Sequence, residues 1–418
     1  MEPKLDPNHD ANAIFSKKYE NMGFTTRAVH SGQQPERLHG GVTTAIDMST
    51  TFAQTFPGVP FGKYDYGRAG NPTKTSLEIQ IAALHEGKYA QIFSSGMAAT
   101  SAIIHLLNIG DEVLCIDDVY GGTQRYFKQV SMVNQGVNFV FAGIEKPENL
   151  RKALSKKTKM IWIESPSNPT LKVTDIKEAV KMIRGYNKDI IIVSDNTFMS
   201  PFNVNPLSLG VDIVMESGTK YLGGHSDVIM GVVVTNCPVK AERIYYMHKC
   251  IGSIPSPFDC FLMIRSLKTL SLRMEKINTN AMQVAEFLSS HRHVERVNYA
   301  GLKTDKFHEV QKRNLRNASG VGFGGMVTIY IKGDVKDTCK FMTNLKVWTL
   351  AESLGAVESL ANHPAIMTHA SVDKETRKVL QIDDNMVRLS TGIEYIKDLL
   401  DDLDQALNNM KSTDKPKF

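Results

Sequence analysis

From about Tyr66 onward, short apolar runs alternate with stretches of helical period. Gln91–Phe93, Glu112–Ile116, Asn138–Phe141, Met160–Ile163, Ile190–Val193, Asp212–Met215 and Val228–Thr235 are short, largely apolar and bounded by polar or turn-forming residues. Strands covered on both faces read in this way. One intervening segment, Asp175-Ile-Lys-Glu178 followed by Ala179, Val180 and Ile183, joins a capping box to an amphipathic spacing and predicts a crossover helix. The alternation predicts α/β layering around a large, mostly parallel sheet. Ser256-Pro257 then caps a long helical stretch carrying Phe261, Leu262, Ile264, Leu267 and Leu270, after which the rhythm changes. Strand candidates Val294–Asn298, Met326–Ile331 and Met386–Leu389, with a helix over Tyr395–Met410, predict a smaller α+β domain. The expected division is therefore an arm over 1–65, an α/β domain over 66–270 and an α+β domain over 271–418. The arm has few periodic segments and several turn formers, which suits oligomer contacts better than an independent fold. No repeat of fixed period exists, which removes solenoids and propellers. The last eight residues, KSTDKPKF, are expected to be disordered.

Composition narrows the class. Hydrophobic residues are 42% and charged residues 22% of 418, ordinary globular usage that excludes disorder and fibres. The 49 basic and 44 acidic residues leave a net charge of +5, too dilute for a nucleic-acid or membrane surface. No apolar run approaches the ~18 residues that span a bilayer, and the first twenty residues lack an apolar core of the secretory type. The expected location is the cytoplasm, with no nucleic-acid and no membrane partner. Five cysteines form no C-x-x-C pair, so neither a disulfide framework nor a metal site is expected.

Four features carry candidate chemistry, each placed at the end of an apolar run. Ser217-Gly-Thr219-Lys220 follows Asp212–Met215; a lysine just past a buried strand loses solvation and its pKa falls, as a lysine that condenses with a carbonyl requires. Taken alone, S-x-T-K is more often a surface loop. Ile190–Val193 ends in Ser-Asp195-Asn-Thr197, and a carboxylate there needs a cationic partner such as a pyridinium nitrogen, although a turn or cap Asp is equally common. Phe93 leads through Ser94 into Ser95-Gly96-Met97, where small residues open a helix N-terminus to a phosphate, although any N-cap serine looks similar. Asp118-Val-Tyr120-Gly-Gly122 sets an aromatic ring on the same sheet edge, able to stack on a planar cofactor or to sit in a core. The bland reading is easy to accept for one of these and hard for four in order on one sheet.

The order S-S-G-M-A-A, D-D-V-Y-G-G-T, E-S-P-S-N-P-T, S-D-N-T-F-M-S-P, S-x-T-K-Y-x-x-G-H-S-D-V and R-L-S-x-G-I-E resembles the Cys/Met-metabolism enzymes that depend on pyridoxal 5'-phosphate (PLP), from about Thr25 to the final helix. The resemblance implies a type I PLP fold and a homotetramer built as a dimer of dimers, with each site shared across a subunit interface. It implies that Lys220 carries the cofactor and serves as the base, that Asp195 pairs with the ring nitrogen, and that Tyr120 stacks on the ring and protonates the leaving sulfur. Ser95, Gly96, Met97, Ser217 and Thr219 would surround the phosphate, with Thr197 beside the cofactor, and Tyr66 and Arg68 would reach it from the neighbouring subunit. Arg388 would hold the substrate α-carboxylate as a fork of donors, with Asn168 and Ser353 beside it. Glu352, Arg125 and Thr368 would contact the substrate further out. The implied reaction is cleavage of L-cystathionine at its γ position to L-cysteine, 2-oxobutanoate and ammonia, with hydrogen sulfide from cysteine as a further product of the same machinery. Gly122 stands where methionine-cleaving members carry a cysteine, which favours cystathionine over methionine. Lys74, Gly218 and Ala45 depart from the usual pattern, and Asn362 occupies a position near the substrate that varies within the family and bears on the balance of γ- and β-cleavage.

Other readings are weaker. Gly320-Val-Gly322-Phe-Gly-Gly325 fits G-x-G-x-x-G but precedes a strand instead of opening a helix, so it reads as a flexible loop and not a dinucleotide site. Asn317-Ala-Ser319 is a glycosylation pattern without a secretory signal. Arg151–Lys159 reads as a solvated helix face. His225 and His369 lack metal-ligand spacing. Synthesis of cystathionine, or methionine cleavage, would use the same cofactor residues. A catalytically idle binding homologue would need none of Lys220, Asp195, Tyr120 and Arg388.

Overall fold

A computed structural model describes residues 19, 21–35, 39–316, 322–370 and 374–410. The glycosylation pattern, Gly320 and the terminal KSTDKPKF lie outside the described residues.

After the helix Phe24–His30 the chain forms a short hairpin, β1 (Gln54–Phe56) and β2 (Val59–Pro60), and then the helix Pro72–Leu84. The larger sheet follows, made of β3 (Tyr89–Phe93), β4 (Glu112–Ile116), β5 (Asn138–Ala142), β6 (Thr158–Glu164), β7 (Ile191–Asp195), β8 (Ile213–Ser217) and β9 (Gly231–Thr235). Their order is β3-β9-β8-β7-β6-β4-β5, with neighbours parallel except where β9 meets β3 and β8. The predicted strands are thus present with ends moved by a few residues; Val228–Met230 approach the sheet without joining it. These strands are almost entirely buried because helices cover both faces, which leaves two apolar clusters, one containing Trp162 and Ile163 and the other Val214 and Val232.

The second sheet has the order β10-β11-β14-β13-β12, from β10 (Val294–Asn298), β11 (Met326–Ile331), β12 (Thr349–Leu350), β13 (Leu360–Asn362) and β14 (Met386–Ser390). All its pairings are antiparallel except β12 with β13. The helix Leu270–Ser290 joins the two units: Leu270, Met274 and Ile277 pack with the larger sheet, and Ala281, Val284 and Leu288 with the smaller.

Several local expectations are corrected. The helical stretch after Ser256 is two helices, Pro257–Leu267 and Leu270–Ser290, and Ser256 caps the first by accepting from the Asp259 N–H. Asp175 caps Ile176–Tyr186 by accepting from the Glu178 N–H, while Glu178 itself faces Lys181 instead of closing the box. Arg151–Lys159 is not one helix face, because the helix ends at Ala153 and Lys159 lies within β6. The arm is not wholly extended, because Phe24–His30 docks on the body with Ala28 buried. The described glycines of the G-x-G-x-x-G stretch are not a loose loop. The Gly324 N–H donates to Asn278 Oδ1, the Gly325 N–H to the Tyr221 hydroxyl, and a Cβ at Gly325 would lie 2.4 Å from Ile277. Close backbone packing, not a dinucleotide, explains them.

Candidate active site

The carboxyl ends of β3, β4, β6, β7 and β8 lie on one edge of the larger sheet, where open α/β folds collect ligands. A cavity of about 280 Å³ opens there and reaches to the smaller sheet. Of the expected site residues, Ser95, Gly96, Met97, Tyr120, Asn168, Asp195, Thr197, Ser217, Thr219, Lys220, Glu352, Ser353, Thr368 and Arg388 line it. Tyr66, Arg68 and Arg125 do not. Arg68 turns to the carbonyl of Lys249 at 2.7 Å and Tyr66 is half exposed, so within one chain neither reaches the cavity. Arg125 lies exposed on the short helix Gly121–Tyr126, beyond Tyr120.

At one end the helix Gly96–Ile104 points its N-terminus into the cavity. Ser95 caps it by accepting from the Ala98 N–H, which leaves the first N–H groups directed at a ligand. A Cβ at Gly96 would lie 3.2 Å from that of Ser217, so the absence of a side chain lets the helix approach β8 closely. Thr197 Oγ1 accepts from the Ser217 N–H at 2.9 Å, locking the ends of β7 and β8 together.

Lys220 follows β8 in a tight turn, its carbonyl accepting from the Gly224 N–H. Burial, and secondarily the Arg388 charge, lowers its amine to about 8. Its Nζ donates to Ser353 Oγ at 2.7 Å. Ser353 sits at φ +79°, a conformation rare for a residue with a Cβ, and both of its oxygens are used: Oγ by Lys220 and the carbonyl by Arg388 Nη2 at 2.9 Å. Arg388, on β14, is 2% exposed and also donates through Nη1 to Asn168 Oδ1 at 2.8 Å, while its buried Nε has no partner. Burial lowers the guanidinium to about 10, which leaves it charged at neutral pH.

Asp195 faces Lys220 across the cavity as a buried carboxylate. The Thr197 N–H donates to it at 3.0 Å, and no lysine or arginine among the described residues pairs with it. Burial raises it to about 6, against the opposing hydrogen bonds from Thr197. Tyr120 closes the top, 42% exposed, with its hydroxyl raised by burial and by the Glu352 charge. A Cβ at Gly122 would lie 2.5 Å from the Tyr120 ring, so a larger residue there would displace it.

Sequence reasoning passed over Glu164, Thr123, Phe198, Met215, Ile229 and Leu354, which also line the cavity. Glu164 was within reach, because it ends an apolar strand just as Asp195 does. The others are apolar or small residues whose placement depends on the packing of distant segments. Asp118 lies beneath the floor, where its Oδ2 accepts from Ser167 Oγ at 2.5 Å and from the Thr170 N–H, and so anchors the turn that carries Asn168.

An anion-binding helix terminus, a carboxylate without a cation and an amine of lowered pKa fit the phosphate, ring nitrogen and aldehyde of PLP. Comparison with known proteins agrees: residues 25–408 match the family described as Cys/Met metabolism PLP-dependent enzyme. The chain belongs to this family. It is 47% identical over 388 residues to a cystathionine gamma-lyase of Dictyostelium discoideum, covering 93% of this chain and 98% of that one. It is 50% identical over 385 residues to the cystathionine gamma-lyase of Homo sapiens, with 92% and 93% covered. The crystal structure of the yeast cystathionine gamma-lyase superposes with a TM-score of 0.88 at 43% identity, covering 93% and 98%. The fold is accordingly the type I PLP fold expected from the sequence, and the protein is a PLP-dependent lyase.

Proposed function

We propose that this lyase cleaves L-cystathionine at the γ position to L-cysteine, 2-oxobutanoate and ammonia, taking up one water. The observation that carries the reading is the chain Lys220–Ser353–Arg388–Asn168, which sets a base and a carboxylate fork side by side in one cavity. The relatives named above support the substrate. PLP, when bound, supplies the electron sink that makes the substrate α-proton removable. Arg388 holds the α-carboxylate, and its contacts to Asn168 Oδ1 and the Ser353 carbonyl fix the fork's plane. The Lys220 amine, poised near neutrality, removes the α-proton and carries protons between neighbouring carbons. Tyr120, whose raised pKa keeps its proton in place, donates to the leaving sulfur. Glu352 and Thr368 face the distal end of the substrate, with Arg125 outside them. The space that Gly122 leaves to the Tyr120 ring supports the cystathionine assignment over methionine.

The active form we assign is a homotetramer of two dimers in which Tyr66 and Arg68 complete the partner's phosphate site. Support comes from the arm, where Met48, Phe56 and Phe61 are 62%, 69% and 79% exposed. We place the enzyme in the cytoplasm, supported by five cysteines that form no disulfide. Hydrogen sulfide from cysteine follows from the same residues. Steady-state kcat/KM for L-cystathionine, L-methionine and an O-acylated homoserine plus cysteine tests the substrate assignment. The largest value is expected for cystathionine cleavage; a larger value for either competitor replaces it.

A further inference from the structure

Glu164 ends β6 and Asp195 ends β7, and the two are register partners on adjacent parallel strands. Partnered positions of a parallel pair project to the same face roughly 5 Å apart. Both side chains line the cavity, and the residues are 4% and 6% exposed. Two carboxyl groups so placed in a buried site share a proton instead of both ionising. Their surroundings differ. Asp195 accepts from the Thr197 N–H and faces the cavity, with Glu216 behind it as a further acid. Glu164 accepts from the Tyr120 N–H, through Oε2 at 3.0 Å, and from the Asn168 N–H, and the titratable groups around it are Asp195, Asp118, Cys115, the Tyr120 phenol and Arg388.

We propose that Glu164 is a positioning residue that keeps the proton of the pair, anchors the Tyr120 turn through its backbone N–H, and leaves Asp195 as the one anion facing the cofactor ring. This rests on the PLP reading above. Burial and the Asp195 charge, which hold the Glu164 carboxyl well above the usual carboxylate range, agree with that division. The backbone N–H groups of Tyr120 and Asn168 favour the ionised form, but burial and the Asp195 charge outweigh them, and a neutral carboxyl still accepts from both. An ionised Glu164 would instead add a second negative charge under the ring and raise the pH at which the bound cofactor titrates.

The test uses the PLP-loaded protein with Glu164→Gln and Glu164→Ala, read by visible circular dichroism, by the pH midpoint of the visible absorbance, and by kcat and KM for L-cystathionine. Gln, an isostere of the neutral acid, is expected to keep the midpoint within about 0.3 pH unit, because no charge has been removed. Ala releases the Tyr120 turn, so the visible dichroism should weaken and kcat fall roughly tenfold or more, as misplacement of an active-site group does, with Gln restoring both. A midpoint lowered by about one unit or more in Gln would show an ionised Glu164 and overturn the proposal. So would an Ala variant identical to the parent in dichroism and kcat. If Ala does not fold, Glu164→Met, which fills the volume but offers the Tyr120 N–H no oxygen, takes its place. A parent protein that stays colourless with added PLP refutes the cofactor reading instead, so the two failures are distinct.

Discussion

Burial acts on Lys220 and Asp195 with opposite sign, and in each case it prepares the group for the cofactor. Losing solvation disfavours the charged form, so the amine falls to about 8 and the carboxyl rises to about 6. For Lys220 the neutral, nucleophilic form grows as pH rises through 8, so the rate at which PLP loads onto cofactor-free protein should climb between pH 7 and 9 and level off above; stopped-flow absorbance measures it. For Asp195 the folded pKa lies above its ordinary value of 3.8, so the proton is held more tightly folded than unfolded. Stability conferred by that proton is complete below about pH 4 and is lost as pH rises through 6, a cost on the order of 3 kcal/mol at neutral pH. Asp195→Asn is therefore expected to melt higher than the parent when both are cofactor-free at pH 7, and to lose the advantage at pH 4. Arg388→Lys tests the fork: a point charge cannot reproduce two parallel bonds, so KM for L-cystathionine should rise by roughly 10- to 100-fold.

Among elements, the strand ends and the helix that opens at Ser95 carry the site, and they were legible because buried parallel strands are short apolar runs with abrupt polar ends. The helix Pro72–Leu84 was not legible. It is buried nearly all round, including Lys74, Glu78 and Gln80, so its sequence shows no single apolar face, and Asn71, which caps it, stands in the run Gly70-Asn71-Pro72 that a turn would also use. Glu164 is legible as a strand-end carboxylate, but its role is not. Its partnership with Asp195 exists only once β6 and β7 are known to be neighbours, because strand order is not written in any single run. The contact between the Gly96 helix and β9 yields a prediction at this scale. A Cβ at Gly231 would lie 2.1 Å from the Ser95 carbonyl oxygen and 3.0 Å from Ala99 Cβ. Gly231→Ala should cost about 1–3 kcal/mol of stability and push the phosphate-facing helix terminus outward, weakening PLP affinity. Thermal melting with and without PLP reads both effects.

Across the whole molecule, the two sheets divide the work: the larger presents Lys220, Asp195 and the helix terminus, and the smaller supplies Arg388, while Ser353 leads out of β12 to meet both. Residues from the sheets need only correct folding of one chain. Tyr66 and Arg68, expected at the site from the family resemblance, lie away from the cavity of their own chain, as the proposed sharing between subunits requires. The exposed arm side chains give that proposal its test: Phe56→Glu with Phe61→Glu should shift the sedimentation coefficient to smaller species and lower activity and PLP affinity together. Unchanged size would remove the arm from the interface.

The central claim is tested most directly by incubating the PLP-loaded protein with L-cystathionine and identifying the oxo acid and thiol released, with Lys220→Ala as control. The account predicts 2-oxobutanoate and L-cysteine, both lost in the control. Pyruvate with homocysteine would contradict γ-cleavage, and product formation undiminished by Lys220→Ala would contradict the role given to that lysine.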